Sequence, residues 1–244
     1  MLIISAGMPK SGSAYFYNVI NELALNSKGF TDARQIKNNR NLDQVLMWHN
    51  NNVGALSFKK LLKLCLISIV DGSFVVKTHN SPNRSVRILS MLGLIKIVYS
   101  YRDPRDVLLS ATDHGEKIMK DGESHTFAKM VNFDDALSNV KSWINIWELY
   151  TNMPSALCIK YEDMMDNPLE AVKSIKKHLD LSVSEEKTQE IIWKYSKDNP
   201  EGDRTGMHFN KPKNFRYLSE MTQEEQMKCR SEFGAALVKM EYDL

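Results

Sequence analysis

Three groups of residues in this chain have the types and spacing to handle an anion. The first is Gly7-Met8-Pro9-Lys10-Ser11-Gly12-Ser13, set between an apolar run and a periodic segment. Backbone N–H groups at a helix N-terminus cradle phosphate, and glycine lets the backbone approach closely. Gly7 and Gly12 have the GxxxxG spacing of a Walker A loop, but Ser13 stands where that motif has lysine, and Lys10 precedes Gly12. A plain strand-to-helix turn with a solvated lysine would read the same way. The second group runs from Tyr99 through Arg102-Asp103-Pro104-Arg105-Asp106 to Ser110. Arg102 closes a strand-like run, where its planar fork can grip a phosphate. Ser110 falls about two helical turns later, which puts its hydroxyl on the same side. The competing reading is a surface ion pair of Arg102 or Arg105 with Asp106, worth little. The third group is Val75-Val76-Lys77-Thr78-His79. A histidine ending a strand beside an anion site has the pKa range of a general base near neutrality, although an isolated histidine is more often structural.

The elements that must position these groups can be read from periodicity. Strand-like runs cover Leu2 to Ala6, Phe74 to Lys77, Ile95 to Tyr101 and Ala156 to Tyr161. Helical patterns cover Ala14 to Leu25, Asp106 to Ala111, Pro168 to Leu179 and Glu185 to Lys194. Ala171, Ile175 and Leu179 recur every fourth position, as a helix buried on one face requires. Strands alternating with helices predict an α/β fold with βαβ units and a central parallel sheet flanked by helices. Loops are expected at Asn38 to Asn52, Asp113 to Ser124 and Asp198 to Asn214, and Asp103 and Asp106 are read as helix N-terminal residues. No linker or repeat divides the chain, so a single domain over residues 1–244 is expected. In such sheets ligands bind beyond the carboxyl ends of the strands. Lys10, His79 and Arg102 follow three such ends.

Composition narrows the classes. With 244 residues, 43% of them hydrophobic and 25% charged, the chain has ordinary globular composition, and a net charge of +2 gives no field suited to nucleic acid. Cys65, Cys158 and Cys229 lack CxxC spacing, so a zinc site is not expected, and reduced thiols fit a reducing, cytoplasmic setting. The opening MLIISAG reads as a strand, not a signal peptide, and the run from Leu61 to Val70 is too short to span a membrane.

In order along the chain, PKSGSAYF, VVKTHNSP, VYSYRDPRDVLLS, IKYEDMMDNPLEAVKSIKKHLDL and Arg204-Thr205-Gly206 resemble the motifs of the cytosolic-type sulfotransferases that use 3′-phosphoadenosine 5′-phosphosulfate (PAPS). The resemblance runs from Ile3 to about Thr222 and implies a fold like that of the P-loop NTPases. It implies that Lys10 holds the bridging and leaving oxygens of the phosphosulfate, and that Ser11, Gly12 and Ser13 donate to the 5′-phosphate beside Ala14. Tyr15 takes the place of an adenine-stacking Trp. Arg102 and Ser110 bind the 3′-phosphate, and Tyr161, Ser196 and the Arg204, Thr205, Gly206 turn complete the pocket. His79 becomes the general base and Lys77 its assistant. PAPS is then the sulfuryl donor and the 3′,5′-bisphosphate PAP the product. A sulfuryl group carries less charge than a phosphoryl group, so no metal is expected.

The sequence departs from that pattern in three places. Ala14 replaces a hydroxyl residue, Thr205 replaces a lysine, and the Gly-x-Trp that usually follows is not visible in MHFNKPKNF. A P-loop kinase and a non-catalytic nucleotide or glycan binder are the rival readings; a kinase needs a lysine after Gly12 and a metal-binding carboxylate. The acceptor, a small molecule or carbohydrate carrying a hydroxyl or amine, is shaped in this family by the stretches corresponding to Asn26–Asp71 and Ala111–Val140. The first holds Trp48 and His49, the second His114, His125 and Phe127. A homodimer is compatible with the sequence but not specified by it.

Overall fold

The computed structural model describes residues 1–47, 51–122, 126–203 and 213–244. Its centre is a sheet of four parallel strands in the order β2-β1-β3-β4. They are β1 (Leu2–Gly7), β2 (Phe74–Thr78), β3 (Ile95–Tyr101) and β4 (Ala156–Lys160). Leu2 pairs with both Phe74 and Ile95, so the strands start level and their carboxyl ends finish together. The chain goes from β1 to β2 on one side and then to β3 on the other, which opens a crevice at the end of β1.

Strand residues alternate between two helical layers. Leu2, Ile4, Phe74, Val76, Ile95, Ile97 and Tyr99 face a larger core. It is covered by α3 (Phe58–Val70), α4 (Arg84–Met91), α5 (Pro104–Lys120), α6 (Phe133–Thr151) and α11 (Gln223–Lys239). Ile3, Val75, Val98 and Ile159 face α1 (Ser13–Leu25), α7 (Tyr161–Asp166), α8 (Pro168–Leu179) and α9 (Glu185–Tyr195). Two short helices, α2 (Ala33–Asn39) and α10 (Tyr217–Glu220), complete the described helices, with one 3-10 turn at Thr126–Lys129. Ala171, Ile175 and Leu179 are buried against the second core, as their spacing predicts.

Two boundaries differ from expectation. Tyr161, expected to end a strand, is the first residue of α7. Asp113 to Ser124, expected as a loop, is helical through Lys120. Gly115 there is a contact glycine and not a break: a Cβ on it would lie 2.5 Å from the Phe127 carbonyl oxygen. Ile118, one turn on, is buried. Cys65 and Cys229 are buried and Cys158 half-buried, all unpaired, with burial pushing their thiols up to about 11, 12 and 12. They stay protonated and are poor nucleophiles.

Candidate active site

The loop after β1 is held from below. Met8 N–H donates to the Ser100 carbonyl (2.8 Å), which extends the β1–β3 ladder past Gly7. Ser11 N–H and Oγ both reach the Met8 carbonyl, and Oγ also lies 3.0 Å from Ser100 Oγ. Both donors of Ser11 are therefore used inside the protein. Gly7 fits over β3 only without a side chain, since a Cβ would stand 2.3 Å from Ser100 Oγ. Lys10 and Gly12 have φ of 66° and 69°. That left-handed geometry is free for glycine and costs lysine about 1–2 kcal/mol, the kind of strain concentrated at functional sites. Gly12 is the N-cap of α1 and no side chain caps that helix. The N–H groups of its first turn, from Ser13, Ala14 and Tyr15, have no acceptor within the helix and carry the positive end of its dipole.

Three distant segments meet at this loop. The Tyr161 ring packs on Gly12, where an added Cβ would stand 2.7 Å from it. Arg102 lies over the same ring, with Cζ 4.6 Å from its centroid. Lys10 feels the charge of both Arg102 and Asp113, and burial brings its pKa down to about 8. Tyr15 is buried, edge-on to Phe16. Ser110 is half-buried in α5, two turns beyond Arg102. Ser196 ends α9, the helix that packs on α1. Arg204, Thr205 and Gly206 lie outside the described residues, as do Trp48, His49 and His125.

Arg102 is only 4% exposed. Its Nη2 donates to Asp106 Oδ2 (2.9 Å) and to the Lys213 carbonyl (2.6 Å). Its buried Nε finds no acceptor among the described residues, an open donor of the kind an anion satisfies. The weak surface pair considered from sequence is instead buried, with side-chain exposures of 5% and 0%. Arg105 does not join it. Arg105 binds Asp103, the N-cap of α5, through Nε and Nη2 (3.0 and 2.8 Å) and covers the Tyr217 ring at 3.7 Å. Asp106 also accepts Tyr217 N–H (3.1 Å), and burial pushes its carboxyl up against the opposing pull of Arg102. Asp103 is the N-cap of α5 and Asp106 stands in its first turn, as read from the sequence.

At the end of β2, His79 Nδ1 lies 2.7 Å from the Gly7 carbonyl oxygen. A carbonyl can only accept, so Nδ1 carries the proton and Nε2 is left as a bare acceptor. Burial first, and Lys77 second, lower the His79 pKa to about 4, so the ring is neutral near pH 7. Lys77 is 4% exposed and burial lowers its ammonium to about 8. Its backbone pairs with Asn51 and Val53.

Asp113, Ser100 and Phe127 are neighbours that the motifs alone do not mark as parts of the loop's surroundings. Phe127 lies 5.5 Å below Lys10 Nζ, packs edge-on to His114 (5.0 Å) and leans on Trp143 (6.0 Å). Its position in a stretch expected to shape the acceptor site was a signal. For Asp113, the signal was its place one helical turn past Ser110, obscured by reading the segment as a loop. Among the described residues, no cluster of three His, Cys, Asp or Glu side chains could hold a metal. None of the described helices is long and apolar enough to cross a membrane.

Residues 2–235 match the sulfotransferase domain family. The chain belongs to that family. Over 139 residues it is 27% identical to the luciferin sulfotransferase of Photinus pyralis, covering 55% of this chain and 37% of that protein. It shares its fold with a mouse sulfotransferase complexed with PAP (TM-score 0.68, 16% identity, 97% of this chain and 84% of that one). It shares it also with retinol dehydratase in complex with retinol and PAP (TM-score 0.60, 19% identity, 100% and 82%).

Proposed function

We propose that this sulfotransferase-family protein moves a sulfuryl group from PAPS to a hydroxyl or amine of a small molecule or carbohydrate, with His79 as general base. The observation that carries this reading is the His79–Gly7 hydrogen bond. It ties the base to the strand that carries the phosphate loop and leaves Nε2 unprotonated. Here His79 takes the acceptor's proton as its oxygen or nitrogen attacks sulfur. Lys10 neutralises the charge that grows on the leaving phosphate oxygen, and Lys77 supports the same strand end. The 5′-phosphate lies on the N–H groups of Gly12, Ser13 and Ala14, and the adenine meets Tyr15. Arg102 Nε, Ser110 and the Arg204–Gly206 segment take the 3′-phosphate, with Tyr161 and Ser196 completing the pocket. Positioning and electrostatic stabilisation supply the acceleration. The luciferin and retinol in the relatives' names belong to those proteins; here Phe127 beside Lys10, with His114 and Trp143 packed on it, favours an acceptor with an apolar or aromatic body.

Transfer of labelled sulfate from PAPS across phenols, aliphatic alcohols, sugars and amines tests the reading. Label on at least one class is expected, with none when ATP and Mg²⁺ replace PAPS. Thermal stabilisation by PAP but not by ATP with Mg²⁺ is expected as well. The reverse preference would favour a kinase, and PAP binding without transfer to any acceptor a binder. Lys10→Ala and Arg102→Ala are each expected to weaken PAP binding in calorimetry.

A further inference from the structure

The outward faces of α3 and α4 are unusual for a helical layer that already covers a sheet. On α3, Phe58, Leu62, Leu66, Ile69 and Val70 are exposed, although Leu61, Leu64 and Cys65 bury the opposite face. On α4, which packs beside it, Ile88 and Met91 are exposed, followed by Leu92 at its C-terminus. Met91 is 83% accessible and Val70 73%. Contiguous exposed apolar surface of this extent marks an interaction site.

The charge on these helices is one-sided. Their sequences, FKKLLKLCLISIV and RSVRILSM, hold Lys59, Lys60, Lys63, Arg84 and Arg87 and no acidic residue. The whole chain is only +2, so the rest of the molecule carries a net negative charge. Lys59 and Lys63 flank the apolar ridge, and with Arg40, Leu62, Leu66 and Ile67 they line a shallow cavity of about 430 Å³. Arg40 is held by Asp71 through two hydrogen bonds of 2.8 and 2.6 Å, Lys60 donates to the Val53 carbonyl and Arg87 to the Leu149 carbonyl, so the charges left to face a partner are chiefly Lys59, Lys63 and Arg84.

We propose that this paired face docks the protein on an anionic lipid surface. Apolar side chains flanked by lysines, whose stems extend past apolar neighbours to reach headgroups, are the chemistry of interfacial helices. A nucleic acid would satisfy the cations but leave the aliphatic side chains in water. A bilayer interface satisfies both. The placement also leaves the donor site clear. Val70 and Leu92 lead into the amino ends of β2 and β3, whereas Lys10, His79 and Arg102 follow carboxyl ends, at the opposite edge of the sheet. This inference does not depend on the reaction.

The test is co-sedimentation of the full chain with vesicles of phosphatidylcholine alone or mixed with phosphatidylglycerol, at low and high salt. Partition onto the phosphatidylglycerol vesicles is expected, weakened by salt. Lys59→Glu combined with Lys63→Glu is expected to reduce it about tenfold or more, since each basic residue near an anionic surface contributes on the order of 1 kcal/mol. Leu66→Ser with Met91→Ser is expected to reduce it too, with melting temperature and PAP binding unchanged because both side chains are exposed. No partition at low salt would overturn the proposal. So would partition that neither double variant alters, or a dimer that Leu66→Ser with Met91→Ser dissolves in a chain that ignores lipid.

Discussion

The ends of β3 and β2 both bring basic side chains to the loop after β1, but in opposite electrostatic settings. At β3, Arg102 is buried with a carboxylate in contact, and Arg105 has its own in Asp103. At β2, Lys77 is buried and His79 half-buried, with no carboxylate bonded to either among the described residues, and both pKa values are lowered by burial. A buried charge with a partner keeps its charge and its place; a buried titratable group without one moves toward neutrality. The first suits permanent recognition of an anion. The second suits a group that must exchange a proton.

If that contrast is right, mutations at the two ends fail in different ways. The largest effect is expected at β2: His79→Asn loses about 10²–10⁴ in turnover, the usual contribution of a positioned general base. PAP binding and melting temperature should change little, since among the described residues the histidine ring makes one hydrogen bond to the fold. Comparable turnover in the variant and the parent would remove the base assignment. At β3 the failure is structural. Asp106→Ala leaves Arg102 without its carboxylate and Tyr217 N–H without an acceptor. Removing one partner of a buried pair costs about 3–5 kcal/mol. Chemical denaturation should show that loss, and added PAP should restore part of it by supplying the missing anion. A loss below about 1 kcal/mol would mean the pair is no better than a surface one.

Gly12→Ala probes the junction between the two ends. The added Cβ meets the Tyr161 ring at 2.7 Å, and φ of 69° disfavours any side chain there. Left-handed geometry alone costs about 1–2 kcal/mol, and the ring that braces Arg102 must shift. PAP affinity is therefore expected to fall along with stability. An affinity that holds while stability drops would separate Tyr161 from the nucleotide site.

Much of this arrangement was legible because local signals agreed. β3 spans Ile95–Tyr101 as its apolar run predicts, bounded by Gly93 and by the Arg102-Asp103-Pro104 helix start. The contacts that make the loop a site were not legible, because they join distant segments. Nothing local tells Arg105 to choose Asp103 over Asp106, or puts Tyr161 on Gly12 and the Lys213 carbonyl on Arg102. Gly115 is a further case: its need for a bare Cα comes from Phe127 and Met130, not from its own backbone. Two of the segments named from the sequence approach the strand ends, through Asn51 beside Lys77 and Phe127 under Lys10.

The finest test of the contrast is pH. As the proposed base His79 would act when neutral, so kcat/KM should fall only as pH drops toward about 4. Its depressed pKa has a second consequence. Between about 4 and the ordinary 6.5 the unfolded chain takes up a proton that the folded one refuses, so stability declines as pH falls through that window. His79→Gln should flatten that part of the stability profile. On the alkaline side the proposed role of Lys10 at the leaving oxygen requires its charge, and its pKa of about 8 in the free protein would set a limb there. Lys77, lowered to about the same value by burial, could set the same limb. Lys10→Arg separates them, because guanidinium stays charged throughout. Even with reduced turnover, its alkaline limb should move well above 8. A limb that stays in place in Lys10→Arg assigns the titration to Lys77 and puts the proton-exchanging character wholly at the end of β2.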